Sequence, residues 1–344
     1  MIEATPLADN RAKFESLVSS AANAYGFTPE MIVHDYWLVR TLYAWQSRLG
    51  GSQLLRSYPT EHLPAGSSAG RIMFGGGTSL SAAWNVAERW SEDIDLVLDP
   101  DDDLKPKQFK ASCKAAAVTV SKSLGGAYNS EGRSADHFFF KVTTKGSPAL
   151  SNVDIVRQDA IAHPIWAEHM PVTSLMGRLA SDEDLRAHPE LGGFEFLALG
   201  PGTTAMNKLL AQTQMSESGD LNAIRYRARD VYDLASIALC AGDFEGHIGR
   251  DSPALLHLAQ QWRRPGSPPR PPDGFASIRS FDPSTSEHEA LAEGYETMQG
   301  QLVWGEKIPL NEAISLALSL DPGPAEPFEP PPYRDHHGVG YPRL

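Results

Sequence analysis

Two carboxylates two residues apart, Asp93 and Asp95, are the pair in this sequence best suited to chemistry. In an extended segment side chains alternate in direction, so both acids project from one face while Ile94, Leu96 and Leu98 turn into a core. Carboxylates so placed can share divalent cations, and magnesium prefers one or two of them plus substrate phosphates to a cage made wholly of protein. In-line attack at phosphorus uses that arrangement, with one metal activating a hydroxyl and another steadying the leaving pyrophosphate. Upstream, Gly75, Gly76 and Gly77 let backbone approach a triphosphate closely, and the N-terminus of a following helix offers N–H groups and a favourable dipole for anions. Thr78 and Ser79 add hydroxyl donors at the same place. A glycine cluster alone is usually a turn, and Asp-x-Asp alone is often an exposed strand edge. Their ordered combination over residues 74–98 is what carries the chemistry. A Walker-type loop is a weak reading, because Thr78 and Ser79 follow the last glycine where Lys and then Ser or Thr would be needed.

A third acid commonly completes such a site, and Asp154 in Asn152-Val153-Asp154-Ile155-Val156 is the candidate; a solvated strand-end carboxylate is the competing reading. Lys208 could neutralise charge that grows on phosphate during transfer, or be a solvated lysine at a helix edge. Asp230, beside the apolar Val231 and Leu234, could act as a general base or hold Lys208, with an ordinary salt bridge to Arg227 or Arg229 as the alternative. Arg225, Arg227 and Arg229 form a local basic cluster that could guide an RNA acceptor or the triphosphate, or simply line a helix surface. His34 and Trp37 read as packing residues, and His336 and His337 fall in a Pro-rich tail.

The elements that must position these groups follow from periodicity. Phe14, Leu17, Val18 and Ala21, then Ile32, Tyr36, Val39 and Tyr43, fall at helical spacing. A strand over Arg71–Phe74 runs into the glycines. Leu80, Ala83, Trp84 and Ala87 then predict an amphipathic helix capped by Thr78 or Ser79. Strands are predicted at Asp93–Leu98, His137–Thr143 and Val153–Arg157, giving a small mixed α/β core over residues 71–160. Helical pattern resumes at Met206–Leu210 and Ile224–Leu239, with a last pair near Ser286–Val303 and Leu310–Leu320. Residues 263–273 are too rich in proline for regular structure. The expected division is this α/β core with N-terminal helices over 1–165, a mostly helical lobe over 166–322, and a Pro-rich tail over 323–344.

The bulk numbers bound the rest. A chain of 344 residues with 41% hydrophobic content can bury a sizeable core in two lobes. No run approaches a membrane-spanning length and the charged N-terminus lacks a secretory pattern, so the cytoplasm is the expected location. Cys113 and Cys240 stand far apart, which excludes a disulfide framework and a zinc site. A net charge of -13 opposes adhesive binding to nucleic acid, so a nucleic-acid substrate needs a local basic patch.

Gly76 to Leu80 and Trp90 to Leu96 closely resemble the signatures Gly-Gly-Thr-Ser-Leu and then Phe or Trp followed by Ser-Glu-Asp-Ile-Asp-Leu of the AbiEii/AbiGii abortive-infection toxins, within the DNA polymerase β-like nucleotidyltransferase superfamily. Val33-His34-Asp35-Tyr36-Trp37, Lys208 and Arg229-Asp230-Val231-Tyr232-Asp233-Leu234 are similar to further motifs of that family. Two family lysines are absent, with Gly75 or Phe74 and Ala82 in their places, and both losses could remove phosphate contacts. The resemblance implies a magnesium–NTP held in a cleft between an α/β core and a helical lobe, and transfer of a nucleotide to an acceptor hydroxyl with release of pyrophosphate. It further implies that the acceptor could be the 3′ end of a tRNA and that an antitoxin protein is the neutralising partner. Transfer of nucleotide or phosphate to a protein hydroxyl, modification of an antibiotic, and a non-catalytic binding module on the same fold stay open.

Overall fold

The computed structural model describes residues 6–57, 64–101, 104–133, 137–144, 150–157, 167–240 and 275–321. The chain opens with helices α1 (Arg11–Tyr25) and α2 (Pro29–Leu49). At the start of α2 the Thr28 hydroxyl accepts from Met31 N and Pro29 takes the first helical position. The helix stops at Gly50, whose φ of 80° is the left-handed conformation that glycine adopts without strain. Ile32, Tyr36, Leu38, Val39, Leu42 and Trp45 are all but inaccessible, so α2 is a core helix.

Strands β1 (Gln53–Leu55), β2 (Ser68–Gly75) and β3 (Asp93–Pro100) follow, with helix α3 (Gly76–Ala82) between the last two. Helix α4 (Pro106–Ser123) leads to β4 (Gly126–Arg133), β5 (His137–Thr144), β6 (Leu150–Arg157) and β7 (Ala167–Thr173). A short helix α5 (Asp182–Ala187) precedes β8 (Gly192–Leu199). These strands form one eight-stranded mixed sheet in the order β4-β5-β6-β3-β2-β8-β7, with β1 added to β2. β3 pairs parallel to β6 and β2 parallel to β8; the other pairings are antiparallel.

Alternation gives this sheet two unlike faces over β3, β6 and β5. Ile94, Leu96, Leu98, Val153, Ile155, Phe138, Phe140 and Val142 are buried on one face. α2 reaches it where the Thr41 hydroxyl donates to Ser151 Oγ at 3.2 Å, and α4 packs on β4 and β5. Removing a ring such as Phe140 from this layer costs about 3–5 kcal/mol. The opposite face carries Asp93, Asp95, Asn152, Asp154 and Lys141, each only partly buried.

The remaining described elements are helical: α6 (Pro201–Ser218), α7 (Leu221–Tyr226), α8 (Ala228–Leu239), α9 (Ser286–Gln301) and α10 (Leu310–Ser319). The chain divides into two units, one of 1–159, 167–199 and 298–307, the other of 160–166, 200–297 and 308–344. The boundary expected at residue 165 therefore differs from this division, because β7 and β8 continue the sheet. β8 alternates as a strand should, and β7 lies at the sheet edge, where Pro171 forfeits no central hydrogen bond. Residues 298–307 also join the first unit: Trp90 N donates to Leu302 O, and Trp304 meets Tyr25 and Phe27 edge to face at 5.6 and 5.8 Å. The Pro-rich stretch at 263–273 and the tail with His336 and His337 lie outside the described residues. Among the described residues no helix is long and apolar enough to cross a membrane.

Candidate nucleotide-transfer site

The glycine bend and the acid pair are built against each other. Gly75 pairs with Asp95 across β2 and β3, and the next residue, Gly76, has φ 69°. A Cβ placed on Gly76 would run into the Asp95 carboxylate, so only glycine allows this closeness. The helix begins at Gly76 with Gly75 as its cap, three residues earlier than a Thr78 cap and four earlier than a Ser79 cap would place it. It also ends at Ala82, sooner than the apolar spacing to Ala87 predicts. Asn85 then adopts φ 55° and accepts from Arg178 Nη1 at 2.7 Å, while Arg178 Nη2 donates to Ser81 O.

Thr78 and Ser79 are nearly inaccessible and give their hydroxyl hydrogens to carbonyls of the fold, Thr78 to Asp93 O and Ser79 to Gly76 O. They fasten the bend to β3 and to itself rather than holding those hydrogens out for a phosphate.

On the acid face, Asp93 lies opposite Asn152 and Asp95 opposite Asp154 in the parallel register. Asn152 Nδ2 donates to Asp93 Oδ1 at 2.9 Å. His137 Nε2 pairs with Asp154 Oδ1. Burial raises the Asp154 pKa, the imidazole opposes that shift, and the Asp93 charge adds to it. Asp154, the candidate third ligand, is thus engaged with His137. Among the described residues no three or more His, Cys, Asp and Glu side chains gather into a metal-holding group. The donor set is therefore one in which a cation would take ligands from substrate as well as protein. Two observations fit a magnesium–triphosphate here: the Gly76 backbone lies directly against the Asp95 carboxylate with no side chain between them, and Asn152 Oδ1 is shielded from solvent and has no hydrogen-bond partner.

Asp35, from the upstream motif, accepts from Leu175 N at 2.6 Å. Burial pushes its carboxyl up to about 6, against the Leu175 hydrogen bond and the Arg178 charge. Trp37 is buried with the Arg40 guanidinium 4.5 Å from its ring centre, and His34 meets Trp90 at 5.3 Å, so both take part in packing.

In the second unit, Lys208 of α6 is buried between two carboxylates of α8, with Nζ 2.5 Å from Asp230 Oδ1 and 2.8 Å from Asp233 Oδ2. Arg227 reaches Asp230 Oδ2 at 3.2 Å. Burial works to raise the Asp230 pKa, yet Lys208 and Arg227 hold it below the ordinary carboxylate value. A carboxylate so held binds Lys208 well and accepts protons poorly. Lys208 is accordingly an internal cation, not a solvated one. The basic cluster is divided: Arg225 pairs with Glu293 at 2.6 Å, Arg227 with Asp230, and Arg229 stacks 4.2 Å from the ring centre of exposed Tyr226. Asp233, Asn152 and His137 were not singled out in the sequence. Asp233 carried a signal, lying three residues from Asp230 on one helix face; the other two depend on strand register.

A mixed sheet bearing a glycine bend and Asp-x-Asp on one open face is the core of a nucleotidyltransferase. The chain belongs to the AbiEii family: the model described as "Nucleotidyl transferase AbiEii toxin, Type IV TA system" matches residues 60–313. It is a nucleotidyltransferase toxin of a type IV toxin–antitoxin family. Among solved structures, the nucleotidyltransferase toxin MenT4 of Mycobacterium tuberculosis H37Rv is 14% identical, with a TM-score of 0.42, over 88% of this chain and 93% of that one. JHP933 of Helicobacter pylori is 14% identical, with a TM-score of 0.34, over 84% of this chain and 95% of that one. No curated protein matches the chain.

Proposed function

We propose that this enzyme moves a nucleotide from a magnesium–NTP to a hydroxyl of an RNA acceptor, the 3′ end of a tRNA, within the cytoplasm, and that a cognate antitoxin protein opposes it. The observation that carries the reading is the closeness of Gly76 to the Asp95 carboxylate, which brings backbone suited to phosphate and an acid suited to a cation to one point. Asp93 and Asp95 would hold the magnesium, which when bound supplies charge to the developing pyrophosphate. The Gly76 backbone, which carries no side chain, would let the phosphates approach the Asp95 carboxylate, and Thr78 and Ser79 keep the bend in shape through their bonds to Asp93 O and Gly76 O. The acceptor oxygen bonds to the α-phosphorus, the α–β anhydride bond breaks, pyrophosphate leaves with the bonding electrons, and the hydroxyl proton passes to water. Asn152 orients Asp93 for this reaction. Lys208, gripped by Asp230 and Asp233, maintains the helical unit.

The test is incubation of the protein with magnesium, each α-labelled NTP in turn and total RNA, beside an Asp93→Asn, Asp95→Asn double variant. Label in RNA with the wild type alone supports the reading. Label in protein moves the acceptor to a protein hydroxyl, and no label in any fraction overturns the reading.

A further inference from the structure

We infer that His137 is a positioning residue of the acid face, holding Asp154 in the orientation that lets the neighbouring acids receive a divalent cation; the inference rests on the magnesium–NTP reading above. His137 belongs to none of the sequence motifs. Phe139 lies opposite Asp154 in the β5–β6 register, and His137, two residues earlier on β5, shares the face on which Asp154 projects. The imidazole Nε2 pairs with Asp154 Oδ1. Both atoms are shielded from water, and neither has a hydrogen-bond partner elsewhere in the protein.

The neighbouring acid is handled in the same way. Asn152 of β6 donates to Asp93 on β3, so Asp93 and Asp154 each receive a side chain from an adjoining strand, and Asp95, between them in the register, faces Gly76. Three carboxylates on one face repel, and a carboxylate left unheld would swing away or displace its neighbour. An imidazole backing a carboxylate fixes the ligand geometry of a metal site without itself touching the metal. His137 would act in this way through Asp154.

The experiment uses the full chain as wild type, His137→Ala, His137→Gln and Asp154→Asn. Free Mn²⁺ is measured by electron paramagnetic resonance in the presence of a non-hydrolysable NTP analogue, and kcat and KM for NTP are measured separately. His137→Ala is expected to weaken Mn²⁺ binding by about 10–100-fold and to lower kcat more than it raises KM. His137→Gln, which again presents a donor at this reach, is expected to recover most of the loss. Adding His137→Ala to Asp154→Asn is expected to change nothing further, because the residue acts through that carboxylate. Wild-type Mn²⁺ affinity in a folded His137→Ala protein overturns the inference, as does an additive loss in the double variant. A wild type that binds no Mn²⁺ with the analogue overturns the site reading and this inference together, which separates the two failures.

Discussion

At the scale of single residues, Asp93 and Asp95 are expected to matter for turnover and little for folding, since both are partly exposed strand side chains. Asp93→Asn and Asp95→Asn should each lower kcat by about 10²–10³-fold with Tm nearly unchanged, read by labelled transfer and thermal unfolding. Gly76→Ala should behave otherwise. It forces a side chain onto φ 69° and into the Asp95 carboxylate, so it should cost about 1–3 kcal/mol of stability as well as activity. Asp35 makes the protein sensitive to pH. Its folded-state value of about 6 stands above the ordinary aspartate value of 3.8, so the folded chain binds the extra proton between those values and loses stability as pH rises through them. Asp35→Asn is therefore expected to be more stable than wild type by up to about 3 kcal/mol above pH 6, with the gain vanishing below pH 4. Urea unfolding at pH 4 and pH 7.5 checks this, and equal differences at both would refute it.

At the scale of elements, Lys208 joins α6 to α8 through Asp230 and Asp233. Truncating it leaves two buried carboxylates facing each other, so Lys208→Ala should destabilise the protein by about 3–5 kcal/mol, measured by denaturant unfolding. An unchanged unfolding midpoint would show that the lysine is not buried in solution. Elements with strong periodicity were legible in sequence: α2, α8 and β3 lie where their apolar spacing put them. α3 was misread because apolar residues continue at helical spacing to Ala87, while Asn85 at positive φ and the Arg178 contacts end the helix at Ala82. β7 and β8 were missed for different reasons. β7 contains a proline that only an edge strand tolerates, and β8 lay in a stretch read as helical although Phe194, Phe196 and Ala198 alternate. The acid pair and the bend were visible because their chemistry is local. Asn152 and His137 were not, since their partners are fixed by register between strands.

At the scale of the whole molecule, a magnesium–NTP that binds only the folded chain must raise its stability. At a hundred times its dissociation constant the gain is about 2.7 kcal/mol, visible as a higher Tm that disappears on chelation and in the Asp93→Asn, Asp95→Asn variant. A shift surviving in the double variant would place binding elsewhere. The parallel pairing of β3 with β6 has a consequence for synthesis. Asp95 meets Asp154 only after β6 has been made, and β2 is joined to β8 at Ala198 later still. A ribosome translating this message therefore carries a growing chain whose acid face stays unfinished until those later strands emerge.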